Sequence, residues 1–176
     1  MKPDYVEFQD RSTARAYLIT FRCYGTWLHG DERGSVDRRH YNIVGTPKIK
    51  PSVEKSERKA SQMRTEAFVM GAAERKVVSD AITEVCTVRH YRLFALNVRS
   101  NHVHLAVGNS GVPERLMNSF KAYSTRALRT AGYAGAEAKV WSRHGSTRYL
   151  WSDEQVAAAV DYVVNGQGEE LPEFDR

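Results

Sequence analysis

The sequence predicts a single α+β domain with a ferredoxin-like core, in which helices pack on an antiparallel sheet. Its 176 residues, 41% of them hydrophobic, suffice for one domain with a real core. Four segments rich in β-branched and aromatic residues are typical of strands: 17–24, 91–98, 102–107 and 148–151. Helical segments separate them in the order β-α-β-β-α-β-α, which is the split βαβ pattern of ferredoxin-like folds.

The first half of the chain is predicted to contain a strand, a long loop and two helices. After the first strand the composition shifts to Gly, Asp, Arg and His over about 25–51. This shift predicts a long loop, and such loops in compact domains are often functional. Ser52 can cap a short helix through 56–59, and a longer helix is predicted over roughly 66–89.

The second half begins with a β-hairpin and ends in a capped helix. The turn at 99–101 joins the second and third strands. The next helix is predicted from Pro113 to about Ala131, just before Gly132. After the fourth strand, Ser152 caps a final helix that carries acidic residues in its first turn.

The charge of the chain favours a polyanionic partner. The net charge is +5 and the pI is near 9.3. The acidic tail, 165–176, holds four acidic residues and one arginine, so the remaining 25 basic and 17 acidic residues give the body a charge of +8. We expect one domain over 1–176, with its core at about 17–165.

Neither a membrane span nor a secretory signal is predicted. No apolar run approaches the roughly 18 residues that cross a bilayer, and the first residues lack the apolar segment of a signal peptide. Cys23 and Cys86 lie far apart in apolar segments, which indicates buried thiols in a reducing compartment. We therefore expect a cytoplasmic protein with no membrane partner.

The most informative motif is a histidine pair in the third predicted strand. Because side chains alternate between the faces of a strand, His102 and His104 point one way while Val103 and Leu105 point the other. Two imidazoles on one face can hold a divalent metal ion, which also needs a third ligand and open positions for substrate oxygens. The alternative is a pair of ordinary surface histidines, since a two-histidine motif alone is a weak indicator.

Tyr123 lies in the predicted helix that follows the histidine strand. On a helical wheel it falls at the edge of an apolar stripe, beside the face that carries Arg115, Arg126 and Arg129. Packing can hold such a tyrosine while its hydroxyl reaches a phosphate, and nearby cations favour the phenolate over the phenol, whose ordinary pKa is near 10. A core tyrosine is the alternative. Together, a metal pair and a tyrosine in a basic protein suggest phosphodiester chemistry on DNA.

These motifs resemble those of the single-tyrosine HUH transposases, and above all the REP-associated tyrosine transposases. The resemblance covers roughly 17–165 and rests on 101–105, 120–123, Trp141 and 149–151. It implies a ferredoxin-like fold with the two histidines at the centre of the sheet. It also leaves monomer and homodimer open, because the insertion-sequence branch acts as dimers with tyrosines supplied in trans and the REP-associated branch as monomers.

The resemblance further implies a chemistry and a substrate. His102 and His104 would hold Mg²⁺ or Mn²⁺, and Tyr123 would attack a phosphodiester of single-stranded or hairpin DNA. The products would be a 5′-phosphotyrosine and a free 3′-hydroxyl, which can rejoin by reversal.

The third metal ligand departs from the family pattern. In the insertion-sequence branch a glutamine one helical turn after the tyrosine supplies it, and the matching residue here is Ala127, which cannot bind metal. We predict that His144, in a Gly/Ser segment that indicates a loop, takes its place, the alternative being a surface loop histidine. Glu114 is a further candidate unless its carboxylate only complements the helix dipole.

Six residues are predicted to contact DNA. Trp27 lies among basic residues in the long loop and could stack on a base, unless it packs back on the domain. The others are basic side chains near the tyrosine or near His144: Arg115, Lys121, Arg126, Arg143 and Arg148.

The sequence thus predicts a metal-dependent, single-tyrosine DNA endonuclease and strand transferase. Two alternatives stay open. A domesticated relative would bind hairpin DNA with strong salt dependence and form no covalent adduct. A metal-dependent RNA-processing or hydrolytic enzyme would use water as the nucleophile and would not need Tyr123.

Overall fold

The protein is an antiparallel sheet covered by helices on both faces. A computed structural model describes residues 14–26, 52–61, 63 and 65–166. Within them the elements are β1 (Ala16–Cys23), α1 (Val53–Ser61), α2 (Ala72–Val88), β2 (Leu93–Val98), β3 (His102–Gly108), α3 (Pro113–Thr130), β4 (Trp141–Leu150) and α4 (Asp153–Val164). The strand order is β2-β3-β1-β4, with every neighbouring pair antiparallel. The predicted α+β fold, with α2 and α3 as the two crossover helices, is confirmed.

One face of the sheet packs against α2 and α3, and we call it the α2/α3 face. Alternate residues of the two central strands point to it. They form a buried core with apolar residues of both helices, and its members include Tyr17, Ile19, Phe21, Val103, Leu105, Val107, Ile82, Phe120 and Leu128. This core contains the apolar residues of β3 that alternate with the two histidines.

The opposite face packs against α4, and we call it the α4 face. Its core is smaller in the described part of the chain, and it joins Leu18, Ala106 and Leu150 to Ala159, Tyr162 and Val163 of the helix. The three helical residues recur at the spacing that places them on one side of a helix. Around the histidine pair this face is polar, because Thr20 and Arg22 of β1 lie opposite His104 and His102.

The structure corrects the predicted extent of β4. The strand begins at Trp141 rather than 148, so His144 lies in a strand and not in a loop. It pairs with β1, and the register shifts between Trp141 and Gly145. A side chain at Gly145 would run into the Met117 sulfur and the Thr20 carbonyl, so glycine allows the strand to lie this close to α3. Exposed polar residues along this edge strand conceal it from a search for apolar runs.

The second helix also starts later than predicted, at Ala72 rather than near 66. The amide N–H groups of Phe68 and Met70 donate to the carbonyls of Tyr24 and Ser100, at 2.9 and 2.7 Å. This segment is therefore bonded to the residues that follow β1 and β2 before the helix begins. The predicted Ser152 cap is confirmed, because its hydroxyl accepts a bond from the Gln155 amide.

Several predictions lie outside the described residues. They include residues 27–51 of the long loop, with Trp27, and the acidic tail from 167 onward. Among the described helices, none is both long and apolar enough to cross a membrane. The division into one domain over 1–176 stays a prediction.

Candidate functional site

The two histidines lie side by side at the centre of the sheet. His102 and His104 belong to β3, which runs between β2 and β1. Their ring centroids are 4.5 Å apart, and both side chains lie on the α4 face, since the residues between and after them pack on the other face. His104 is 8% exposed. Two imidazoles at this separation can share one ion.

Each imidazole is held through its Nδ1 atom. The His102 Nδ1 lies 2.6 Å from the Asn101 side-chain oxygen, and the His104 Nδ1 lies 2.7 Å from the Thr20 hydroxyl. Histidines that bind metals usually donate one ring N–H to such an oxygen, which fixes the tautomer and the ring orientation. With Nδ1 as the donor, Nε2 is the atom of each ring that would bind a metal ion.

The electrostatic environment keeps His104 neutral. Burial, followed by the charges of His102, Arg22 and Arg99, lowers the pKa of the His104 imidazole to about 3. A metal ligand must be the neutral imidazole, so His104 needs no deprotonation at neutral pH. Imidazole nitrogens are ligands of divalent transition-metal ions, whereas Mg²⁺ prefers oxygen.

A tyrosine that the sequence analysis did not select lies against the histidines. Tyr162 of α4 packs edge-on against His104, with 5.4 Å between the ring centroids, and is 9% exposed. It reaches this place because Ala159, Tyr162 and Val163 form the buried side of α4 over the α4 face. The structure therefore brings Tyr162 and the histidine pair together within one chain.

A signal for Tyr162 was present in the sequence. The two crossover helices of a split βαβ fold lie on the same face, because β-α-β crossovers share one hand. Val103 and Leu105 must point toward those helices to be buried, which leaves His102 and His104 on the opposite face. A tyrosine in the last helix is then the better partner for the histidines.

Arginines surround Tyr162 on the α4 face. Arg22 pairs with His102 across β1 and β3, and Arg148 lies on β4 opposite Leu18, whose side chain is also on this face. Burial raises the pKa of the Tyr162 phenol, and the charges of Arg22 and Arg148 act in the opposite direction. The site therefore combines a buried tyrosine with two arginines whose charges favour an anionic group beside Tyr162.

Tyr123 lies on the other side of the molecule. It sits on α3, is 39% exposed, and has the guanidinium carbons of Arg89 and Arg126 at 5.4 and 5.1 Å from its ring centroid. Because α3 packs on the α2/α3 face, the sheet separates Tyr123 from the histidines. Ala127 lies on the same helix and is equally remote.

The predicted third ligands are not gathered at the histidines. His144 is exposed on β4, which β1 separates from β3, so its strand is about 10 Å away. Glu114, in the first turn of α3, accepts a 2.8 Å hydrogen bond from the Thr147 hydroxyl. In the part of the chain that the structure describes, no three His, Cys, Asp or Glu side chains form a metal site. One helical turn after Tyr162 stands Gly166, which has no ligand atom in its side chain.

The predicted DNA contacts fall on both faces. Arg115 and Arg126 are exposed on α3, and Arg143 is exposed on β4. Arg148 is half-buried beside Tyr162 on the α4 face. Among the predicted contacts that the structure describes, Arg148 alone thus lies next to Tyr162.

Lys121, which is predicted to contact DNA, is buried and bonded to main-chain carbonyls. It is 8% exposed, and its Nζ donates to the carbonyls of Ser142 and His144, at 2.9 and 3.0 Å. Burial lowers the pKa of this ammonium to about 8. The side chain ties α3 to the irregular start of β4 and is not presented to a phosphate.

Comparison with known proteins adds the following findings. A family model described as "Transposase IS200 like" matches residues 36–165, which include the histidine pair and Tyr162. One similar structure is a REP-associated tyrosine transposase bound to a REP hairpin, with a TM-score of 0.45 and 11% identity, over 86% of this chain and 65% of that one. Another is a candidate transposase from Deinococcus radiodurans R1, with a TM-score of 0.43 and 14% identity, over 89% of this chain and 93% of that one. No curated protein sequence matches.

Proposed function

The chain belongs to the family of IS200-like transposases, and on that premise we propose that it is a metal-dependent DNA endonuclease and strand transferase whose nucleophile is Tyr162. The sequence hypothesis named Tyr123 for this role. The observation that carries the change is the contact of Tyr162 with His104 in the same chain, at 5.4 Å between ring centroids. A nucleophile must lie where the phosphate is activated, and the sheet stands between Tyr123 and that place.

The proposed reaction is a transesterification. The Tyr162 oxygen attacks the phosphorus of a DNA phosphodiester and loses its proton to solvent or a base. The bond from phosphorus to the 3′-oxygen breaks, and that oxygen takes up a proton. The DNA is left with a free 3′-hydroxyl and a 5′-phosphate bonded to tyrosine. Attack by a 3′-hydroxyl on this linkage reverses the step and joins strands.

The residues that would hold the metal are His102 and His104. Their fixed Nδ1 atoms and the neutral state of His104 fit a divalent ion. When bound, such an ion polarises a phosphoryl oxygen as a Lewis acid. Phosphate and water oxygens would complete the coordination.

The proposed substrate is single-stranded or hairpin DNA. Arg22 and Arg148 lie close enough to Tyr162 to act on its charge, and both would favour a phosphodiester at the same place. The exposed Arg115, Arg126 and Arg143 would add backbone contacts away from the reacting atoms. Since one chain supplies both Tyr162 and the histidines, a monomer would suffice for cleavage.

The test compares two tyrosine variants. The protein is incubated with labelled hairpin oligonucleotides and Mn²⁺, and the products are separated on a denaturing protein gel. We expect a labelled band at protein mass for the wild type and for Tyr123→Phe, and none for Tyr162→Phe. The matched variant removes the same hydroxyl from the other face of the sheet. A band that persists in Tyr162→Phe would contradict the proposal.

A second candidate function is hairpin binding without cleavage. It is favoured by the lack of a third protein ligand beside His102 and His104 within the described residues. This candidate predicts a salt-dependent gel shift with no covalent band across a varied oligonucleotide pool. Metal-dependent nicking by Tyr162→Phe, without an adduct, would instead indicate a hydrolytic nuclease that uses water.

A further inference from the structure

Asn97 links β2, the strand next to β3, to α4, the helix that carries Tyr162. It lies on β2 directly opposite His104 of β3, so the two side chains share the α4 face. Its Nδ2 donates a 3.0 Å hydrogen bond to the main-chain carbonyl of Val163, the residue after Tyr162. One amide therefore lies next to His104 and holds the backbone beside the tyrosine.

The bond falls at the end of α4, where a helix has unpaired carbonyls. The last four carbonyls of a helix lack partners within it. Here those of Asp161 and Tyr162 accept from the amides of Asn165 and Gly166, and that of Val163 accepts from Asn97. Asn97 thus acts as a capping donor that comes from the sheet instead of from the helix itself.

The two ends of α4 are held in different ways. At the first turn, the Ser152 hydroxyl accepts from the Gln155 main-chain N–H, and the Gln155 side chain accepts from the Trp151 N–H. Asp153 of the same turn also pairs with Arg15, at 3.0 Å, through exposed side chains. Near Tyr162, the Asn97 bond joins the helix to β2, the strand paired with β3, directly opposite His104. This second attachment therefore ties the end of α4 that carries Tyr162 to the strands beside His104.

We propose that Asn97 is a positioning residue that fixes Tyr162 against His104. The inference rests on the proposed function, because positioning matters only if Tyr162 reacts. Holding a nucleophile within a narrow range of positions contributes strongly to rate, and a misplacement of about 1 Å can cost on the order of 100-fold. Removing the amide donor should leave DNA binding intact and slow the attack.

The test uses Asn97→Asp, with Asn165→Ala as the matched control. Aspartate has the shape of asparagine and cannot donate to the Val163 carbonyl. Asn165 carries an amide at the same helix end, but it bonds to Asp161 of its own helix. Adduct formation with hairpin DNA and Mn²⁺ gives kcat and KM, and hydrogen–deuterium exchange follows the amides of α4 and α2.

We expect Asn97→Asp to lower kcat by roughly 10- to 100-fold, with KM changed by about twofold at most. Exchange should quicken in α4 and stay unchanged in α2, and Asn165→Ala should match the wild type in every readout. Asn97→Ser is the second variant, because its hydroxyl is too short to reach α4 and it adds no charge. It should reproduce the loss if the aspartate variant folds poorly.

The inference is overturned if both Asn97 variants keep the wild-type kcat. It is also overturned if α4 and α2 exchange faster together, since that result indicates a general loss of stability. If Tyr162→Phe still forms the adduct, the proposed function fails and the positioning role fails with it. If Tyr162→Phe forms no adduct while both Asn97 variants keep full activity, the proposed function stands and only the positioning role of Asn97 is refuted.

Discussion

The two faces of the sheet each carry a tyrosine on a helix with arginines close by, yet their surroundings differ. Tyr123 is exposed on α3, between Arg89 and Arg126. Tyr162 is buried on α4, against His104 and within the field of Arg22. Only the second lies where a divalent ion could activate a phosphate. A tyrosine near arginines is therefore a weak indicator of a nucleophile until its face of the sheet is known.

Chain distance misleads here because the sheet separates neighbours in sequence. Tyr123 follows His104 by nineteen residues, and Tyr162 follows it by fifty-eight. The helix between β3 and β4 crosses on the α2/α3 face, whereas the helix after β4 crosses back over the α4 face. Matched substitutions on the two faces, and the response of stability to pH, should separate the two environments.

The largest effect should come from the histidine strand. We expect His104→Ala to lower the rate of adduct formation with Mn²⁺ by about 100-fold or more, because it removes a proposed metal ligand beside Tyr162. The control is His144→Ala, on the exposed edge strand, which should stay within about twofold of wild type. A comparable loss in His144→Ala would support the prediction that His144 is a ligand. Single-turnover adduct assays provide the measurement.

A smaller loss is expected from Gly166→Ala. A Cβ at Gly166 would lie 2.9 Å from the Tyr162 ring and 3.1 Å from its Cα, so the tyrosine must shift. We expect adduct formation to fall by about tenfold. Gly135→Ala is the control, since a Cβ there meets nothing within 4 Å. Equal rates in the two variants would show that the packing of Gly166 does not set the position of Tyr162.

On the α2/α3 face, Lys121 and Arg126 should respond in opposite ways. Lys121→Met removes the donor to two β4 carbonyls and should lower the free energy of unfolding by about 1 kcal/mol, without changing the salt dependence of hairpin binding. Arg126→Ala should leave stability unchanged and reduce the slope of log K against log salt by about 1. Denaturant unfolding and salt titrations measure these effects. A reduced slope in Lys121→Met would reinstate it as a phosphate contact.

The smallest effects concern pH, and the two faces should respond in different windows. The folded pKa of His104, about 3, is below its ordinary 6.5, so the unfolded chain binds more protons between these values. Stability contributed by neutral His104 is complete above pH 6.5 and is lost as pH falls toward 3. For Lys121, with a folded pKa of about 8 against 10.5, stability should rise as pH increases from 8 to 10.5.

Unfolding curves over both ranges test this. His104→Asn should remove part of the acid-side loss and leave the alkaline rise, and Lys121→Met should do the reverse. If each variant keeps the full pH dependence of the wild type, these two groups do not account for it.

Local sequence patterns predict the order of the elements and the histidine motif, but not where β4 and α2 begin. Alternation in β3 placed His102 and His104 on one face, and the Ser152 cap placed the start of α4, because both depend on local rules of backbone geometry. Family membership also follows from sequence, since a family model matches most of the chain. These features need no knowledge of how distant segments meet.

The predicted topology favours a tyrosine of the last helix as the partner of the histidines. It took the packing of α4 on the sheet to show that Tyr162 itself contacts His104, and tertiary contacts likewise set which basic side chains stay exposed. Tyr162 reaches His104 because α4 packs over the face that α2 and α3 leave uncovered. Lys121 is buried because β4 begins at Trp141, which places the Ser142 carbonyl within reach of its Nζ. Both outcomes depend on contacts between segments far apart in sequence. Periodicity within one helix can identify its buried side but not the strand that side will cover.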